Sequence, residues 1–183
     1  MMTYPNESPD EIRAPMDDET LEFANQVFDL ARNGETQKLD GLLEQGLPPN
    51  LRNHKGDSLL MLASYHGHLE TARLLLEHSA DPQLCNNNGQ TPIAGAAYKG
   101  DLAMVQLLLE HGANVEGASP DGKTALMMAA MFNRTAIVEC LLEYGADKDA
   151  MDANGVTALA AAALMGASDT QALLAKSGAR SAH

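Results

Sequence analysis

Apolar residues in this chain recur three and four positions apart, the spacing that places side chains on one face of an α-helix. The first such stripe comprises Leu21, Ala24, Val27, Phe28 and Ala31. The residues just before it, Asp17 to Thr20, include good helix caps and carry negative charge, which is favourable at a helix start. A second predicted helix carries Leu39, Leu42 and Leu43. We expect Gly34 to end the first helix and Gly46 to end the second.

A second pattern recurs at one constant interval, through four copies and without an insertion. Each copy opens with a turn in which one residue needs a backbone conformation that only glycine adopts easily. The glycines, which mark the interval, are Gly56, Gly89, Gly122 and Gly155. Two residues later comes a hydroxyl side chain that can cap the following helix. These residues are Ser58, Thr91, Thr124 and Thr157.

Each copy then predicts two helices. The first is short and rich in alanine, and we expect it to end at a residue that tolerates the left-handed conformation. The four ends are Gly67, Gly100, Asn133 and Gly166. The second helix buries a ladder of leucines that includes Leu108 and Leu141. Its expected ends are Ser79, Gly112, Gly145 and Gly178.

The repeats determine the predicted fold class. No single repeat can bury its apolar face alone, so the stack of repeats is expected to be the folding unit. The sequence predicts an all-α solenoid of stacked helix-turn-helix pairs with β-turn or hairpin-like loops. It would hold an N-terminal capping repeat, in which Phe23 replaces the turn glycine, plus four repeats. The expected segments are an acidic tail without structure at 1–17, the N-terminal capping repeat at 18–53, repeats at 54–86, 87–119 and 120–152, and a C-terminal capping repeat at 153–183.

The stretch from Gly89 to Ala96, followed by Leu-Leu-Leu-Glu-His-Gly-Ala at 107–113, resembles the ankyrin repeat. The resemblance covers roughly residues 21–180, and the chain looks like a small, stand-alone, bacterial member of that family. That family works mainly by binding other proteins, so the resemblance implies an interaction module without enzymatic activity or cofactor. The family's Thr-Pro-Leu-His signature becomes Ser-Leu-Leu-Met, Thr-Pro-Ile-Ala, Thr-Ala-Leu-Met and Thr-Ala-Leu-Ala here. Without its histidine, we expect the turns to be more weakly braced.

The resemblance also implies where a partner would bind. In ankyrin proteins the variable residues lie at the turn tips and at the end of the first helix of each repeat, along a concave groove. The corresponding helix-end residues are Arg32, Asn33, Tyr65, His66, Tyr98, Lys99, Met131, Phe132, Leu164 and Met165. The corresponding turn-tip residues are His54, Lys55, Asp57, Asn87, Asn88, Gln90, Asp121, Lys123, Asn154 and Val156. For Met131 and Leu164, packing against a neighbouring repeat is as good an interpretation as exposure.

Charge limits the choice of partner. The formal net charge of −13 comes from 12 basic and 25 acidic residues, and residues 1–22 alone hold seven acids and one arginine. Such a field repels phosphate, so nucleic acid and anionic membrane are poor partners, whereas a basic protein partner is allowed. No apolar run approaches the ~20 residues that span a bilayer, and the first residues lack the pattern of a secretory leader. The expected location is therefore the cytoplasm.

The cysteines agree with that location. Cys85 falls in an inter-repeat loop, whereas Cys140 occupies a position that is leucine in sister repeats. They do not indicate a disulfide, which fits a reducing compartment. We expect Cys140 to be a buried structural thiol. With 4% aromatic residues and no Trp, the core should consist of Ala, Leu and Met.

Two motifs raise the question of chemistry. Residues Gly117 to Thr124 match the phosphate-binding pattern G-x-x-x-x-G-K-[ST], but the preceding residues do not indicate the buried strand that such a loop requires. A nucleotide-binding switch is therefore the weaker hypothesis, from a different functional class. The four histidines that invite a metal interpretation match no standard ligand spacing. They are His66, His68, His78 and His111.

The sequence thus predicts a non-enzymatic protein that binds or regulates a partner protein through its concave groove. The chain is expected to act as a monomer rather than a homo-oligomer. One alternative is an inhibitor of a basic toxin or enzyme, which the acidic charge suits. Another is a homo-oligomer that associates through the Ala- and Met-rich last repeat.

Overall fold

A computed structural model describes residues 16–180 of the chain and shows ten α-helices among them, in five consecutive pairs. The pairs are α1 (Asp18–Asn33) with α2 (Thr36–Glu44), α3 (Leu59–Tyr65) with α4 (Leu69–Glu77), α5 (Pro92–Lys99) with α6 (Leu102–Glu110), α7 (Ala125–Met131) with α8 (Thr135–Glu143), and α9 (Ala158–Leu164) with α10 (Ser168–Arg180). Among the described residues no strand forms, and an isolated antiparallel bridge joins Arg52 to Ser58. The predicted all-α solenoid with hairpin-like loops is confirmed.

The helices form two layers. The first helices of the pairs, α1, α3, α5, α7 and α9, pack one on the next in chain order, and we call them the inner helices. The second helices, α2, α4, α6, α8 and α10, form the outer layer in the same way. Each pair therefore contacts its neighbours in the chain, as a solenoid requires.

Hydroxyl caps begin the four short inner helices as predicted. Each side chain accepts a hydrogen bond from the backbone N–H three residues later, over 3.0 to 3.3 Å. The capping residues are Ser58, Thr91, Thr124 and Thr157. All the predicted helix ends except Gly178 also have left-handed backbone, with φ of +57° at Asn133 and +67° at Ser79. Local sequence therefore sets where these helices begin and end.

The expected end of the last helix at Gly178 is wrong. Helix α10 continues through Gly178 to Arg180, and the backbone at Gly178 does not have a positive φ. Glycine permits the left-handed conformation but does not impose it, and the following Ala179 and Arg180 are strong helix formers.

Small side chains let the inner helices approach one another closely. One alanine in each of α3, α5, α7 and α9, at the same repeat position, is 0% exposed. These residues are Ala63, Ala96, Ala129 and Ala162. The leucine ladder of the outer layer is equally buried, with Leu75, Leu108 and Leu141 at 0% exposure. The core therefore runs unbroken from layer to layer.

The N-terminal helix departs from the pattern at its start. Asp17 caps α1 by accepting from the Thr20 N–H at 2.7 Å. Hydrogen bonding to the Thr20 side chain, and then to this backbone N–H, lowers the pKa of the Asp17 carboxyl. Val27, Phe28 and Ala31 are buried as the stripe predicts, but Leu21 is 46% exposed. The 16-residue α1 is much longer than the seven-residue α3 on which it packs. Because a helix rises by about 1.5 Å per residue, the first turns of α1 extend beyond that neighbour.

Of the predicted unstructured tail, residues 1–15 lie outside the described residues. Cys85 is exposed, Cys140 is buried, and both are free thiols, as predicted. Burial raises the pKa of Cys140, and the Glu143 carboxylate adds to this effect. No helix within residues 16–180 is long and apolar enough to cross a membrane.

The leucine ladder can be tested at Leu108. Truncating this fully buried side chain in Leu108→Ala should lower the free energy of unfolding by about 2–5 kcal/mol, because the cavity left behind adds to the lost transfer free energy. Leu164 is 77% exposed, so Leu164→Ala is a control that should change stability by less than about 0.5 kcal/mol. Urea unfolding followed by circular dichroism measures both. Equal losses in the two variants would contradict the ladder.

Candidate protein-binding groove

A groove runs along the inner helices, bounded on one side by the turns that precede them. Three cavities of about 710, 650 and 190 Å³ follow one another along it. The first and second share Met61, Tyr65, Asn88 and Gln90, and the second and third share Lys123. The shared lining makes the three cavities one continuous groove.

The structure places most of the candidate residues along this groove. All ten turn-tip candidates line at least one cavity. These are His54, Lys55, Asp57, Asn87, Asn88, Gln90, Asp121, Lys123, Asn154 and Val156. Seven of the ten helix-end candidates also line it, whereas Asn33, Lys99 and Phe132 line none of the three cavities.

Helix-end residues of adjacent repeats meet diagonally. The Tyr98 ring packs edge-on against Phe132 of the next inner helix end, with centroids 4.9 Å apart. In the same way, Lys99 Nζ lies 4.4 Å from the centroid of the Tyr65 ring. Phe132 and Lys99 thus support tyrosines that line the groove, although they do not line it themselves. Tyr65 and Tyr98 nevertheless stay 42% and 41% exposed.

The last inner helix leaves its end uncovered. Leu164 and Met165 are 77% and 53% exposed, whereas Met131, one repeat earlier, is half-buried. Of the two interpretations that the sequence left open, packing against a neighbouring repeat therefore applies to Met131, and exposure applies to Leu164. The groove therefore ends in an apolar surface formed by Leu164, Met165 and Val156 around the smallest cavity.

The turns are braced by side chains that the sequence analysis overlooked. Asn53, Asn86 and Asp152 each lie three positions before a turn glycine. The side-chain Oδ1 of each accepts hydrogen bonds from two backbone N–H groups of its own turn, over 2.9 to 3.0 Å. Such side-chain bonds to the local backbone stabilise turns. They brace turns that lack the family's histidine. Their shared spacing from the glycine is visible in the sequence and could have identified them.

Pro120 interrupts the contacts between successive turns. The Asn87 N–H donates to the Lys55 carbonyl at 2.9 Å, and the Ala153 N–H donates to the Asp121 carbonyl at 2.8 Å. Pro120 occupies the matching place in the intervening turn and has no N–H to donate. Its ring packs instead against Gly89, so closely that a Cβ there would lie 2.1 Å from Pro120 Cδ. Pro120 also lines the second cavity.

Comparison with known proteins agrees with this architecture. The family described as ankyrin repeats (3 copies) matches residues 27–118 and 114–182, which together make up most of the chain. The chain belongs to the ankyrin-repeat family. It is also 69% identical, over 65 residues, to a Pseudomonas aeruginosa protein whose name describes an ankyrin repeat protein. That match covers 36% of this chain and 38% of the relative, well under two thirds of its length. Ankyrin repeats generally mediate protein–protein interactions and are typically not enzymes.

Within the ankyrin stack, the phosphate-loop match has a structural explanation. Thr124 is buried and caps α7, while Lys123 Nζ pairs with Asp121, which also accepts from the Ser119 hydroxyl. These hydrogen bonds lower the pKa of Asp121 to about 2, and the pairing raises the pKa of Lys123. The lysine that would meet a phosphate is therefore already engaged by a carboxylate. In the described part of the chain, no strand precedes Gly117.

Three of the four candidate histidines likewise have structural partners. His68 Nε2 donates to the Arg32 carbonyl at 2.8 Å, and His111 Nδ1 donates to the Leu107 carbonyl at 2.9 Å. His78 Nε2 lies 3.4 Å from Asp40 Oδ1. Among residues 16–180, no group of three His, Cys, Asp or Glu side chains is placed to hold a metal ion.

The contact between Pro120 and Gly89 can be isolated by a pair of substitutions. Gly89 and Gly155 occupy the same turn position, with φ of +71° and +74°, but a Cβ at Gly155 would meet nothing within 4 Å. Gly155→Ala should therefore cost only the left-handed backbone penalty, about 1–2 kcal/mol. Gly89→Ala must also displace the proline ring, which should cost roughly a further 1–3 kcal/mol. Thermal unfolding measures both changes, and equal values would show that the ring does not constrain the turn.

Proposed function

We propose that this ankyrin-repeat protein is a non-enzymatic binding protein that holds a segment of another protein in its groove. The observation that carries the proposal is the continuous groove with Tyr65 and Tyr98 in its lining, each about two fifths exposed. Binding energy at protein interfaces concentrates in a few aromatic and arginine anchors that become buried on association. Half-exposed tyrosines on rigid helices suit that role.

The support beneath the tyrosines favours tight binding. Tyr98 rests against Phe132, and Tyr65 against Lys99. Side chains that are already ordered lose little conformational entropy when a partner binds. The groove therefore presents preorganised anchors, with the turns as a polar rim. We further propose that the chain acts as a monomer and that it works in the cytoplasm.

A second candidate is an inhibitor of a basic toxin or enzyme. The net charge of −13 favours it, as does a row of exposed glutamates that recurs once in each of the first four repeats along the outer layer. Its members are Glu44, Glu77, Glu110 and Glu143. A basic partner attracted by this field would bind tightly and would dissociate steeply as salt is added. A groove-binding adaptor would depend instead on the tyrosines.

The groove is tested by removing its aromatic anchors. Affinity purification with mass spectrometry would first identify a partner, and calorimetry would then compare its binding to the wild type and to the Tyr65→Ala/Tyr98→Ala variant. Loss of two buried aromatic anchors should lower affinity by more than about tenfold.

Tyr144 provides the matched control, because it is 47% exposed but caps the outer helix α8. Tyr144→Ala should bind the partner as the wild type does. Circular dichroism and sedimentation velocity check that each variant stays folded and monomeric. Unchanged affinity in the double variant would place the partner outside the groove.

A further inference from the structure

The first cavity of the groove is basic, although the chain as a whole is strongly acidic. Among the described residues, Arg32, Lys55, His54 and His66 line this cavity, with Asp57 as its one carboxylate, and Lys99 lies over the ring of Tyr65, which also lines it. The net charge of the full chain is −13. The local charge in this part of the groove therefore opposes that of the whole molecule.

Two of the basic side chains lie against Tyr65. The Tyr65 and His66 rings lie edge to face with centroids 5.6 Å apart, and Lys99 Nζ covers the tyrosine ring at 4.4 Å. Burial lowers the pKa of His66, and Arg32, His68 and Lys99 lower it further by repulsion. The charged side chains Arg32, Lys55 and Lys99 belong to three different repeats, so only stacking brings them to one end of the groove.

The carboxylates near this group already have partners. Asp29 pairs with Arg32, Asp57 accepts from the side chains of Asn53 and Asn86, and Asp101 caps α6. Within residues 16–180, Lys55 and Lys99 form no ion pair. The two ammonium groups thus remain available to a carboxylate from outside.

The other end of the groove is apolar. Met127, Met131, Val156, Leu164 and Met165 make up most of the lining of the third cavity, beside the polar Asp152 and Asn154. The one lysine that lines this cavity, Lys123, is paired with Asp121. The groove therefore changes from cationic to apolar along its length.

We propose that the groove selects an extended acidic segment of its partner, with Asp or Glu side chains at the Lys55 and Lys99 end and apolar side chains at the Met131 and Leu164 end. This inference rests on the groove being the binding site. Inner helices pack about 8–10 Å apart, so α3 to α9 span roughly 24–30 Å. An extended segment of about nine residues covers that distance.

A random peptide display library, selected on the full chain, tests the inference without knowledge of the natural partner. We expect the recovered peptides to be enriched in Asp and Glu next to an apolar stretch. The best of them is then measured by fluorescence anisotropy against two double variants. Lys55→Gln/Lys99→Gln should weaken binding roughly tenfold, the sum of two half-exposed charge pairs.

The matched control is Lys38→Gln/Lys176→Gln, which removes two exposed lysines of the outer layer. It changes the net charge by the same amount, so it should alter affinity by less than about twofold if the effect is local. Equal weakening in both variants would show a general field effect and overturn the inference.

Two further outcomes separate this inference from the proposed function. In the first outcome, the recovered peptides are neutral or basic and bind the Tyr65→Ala/Tyr98→Ala variant more weakly than the wild type. This would overturn the acidic segment and leave the groove as the binding site. Peptides that bind this tyrosine variant as well as the wild type would contradict the groove itself. Recovery of no binding peptide would count against both.

Discussion

The close stacking of one inner helix on the next is the constraint on which the rest of this protein depends. Ala63, Ala96, Ala129 and Ala162 occupy one position in successive layers and are fully buried. A larger side chain there would force the layers apart. Because each layer buries its apolar face only against its neighbours, equivalent helix positions have to recur in every layer, and here the period is kept without insertion. The same period aligns every surface position with its counterpart in the next repeat.

Binding properties arise from positions that the stack leaves free. Tyr65 and Tyr98 lie where a repeat has no structural requirement, yet Lys99 and Phe132 of the following layer hold their rings. The support is diagonal, so each anchor depends on two repeats. The distribution of charge also depends on the stacking of repeats. Basic residues from separate repeats lie at one end of the groove, while acidic residues recur along the outer layer. Net charge alone therefore does not describe the surface that a partner meets.

The success of sequence-based prediction differs between parts of this molecule. The hydroxyl caps and the left-handed helix ends follow from neighbouring residues, and their positions were correct. Gly178 was misassigned because a glycine near a helix end allows a break without requiring one. The bracing role of Asn53, Asn86 and Asp152 could have been predicted, because all three precede the turn glycine by the same interval. The role of Pro120 could not have been predicted from the sequence, because its ring contacts a glycine of the preceding repeat.

The sequence by itself determined the fold class and the helix starts, because periodicity and capping are local properties of the chain. The candidate groove residues came instead from the resemblance to the ankyrin family. Only the tertiary structure decided which side chains meet across layers. The lysine over Tyr65 and the proline against Gly89 join residues about one repeat apart, and the cationic end of the groove joins residues of three repeats. Rotamers, layer spacing and the carboxylates nearby set those contacts, and none of these can be derived from spacing along the chain.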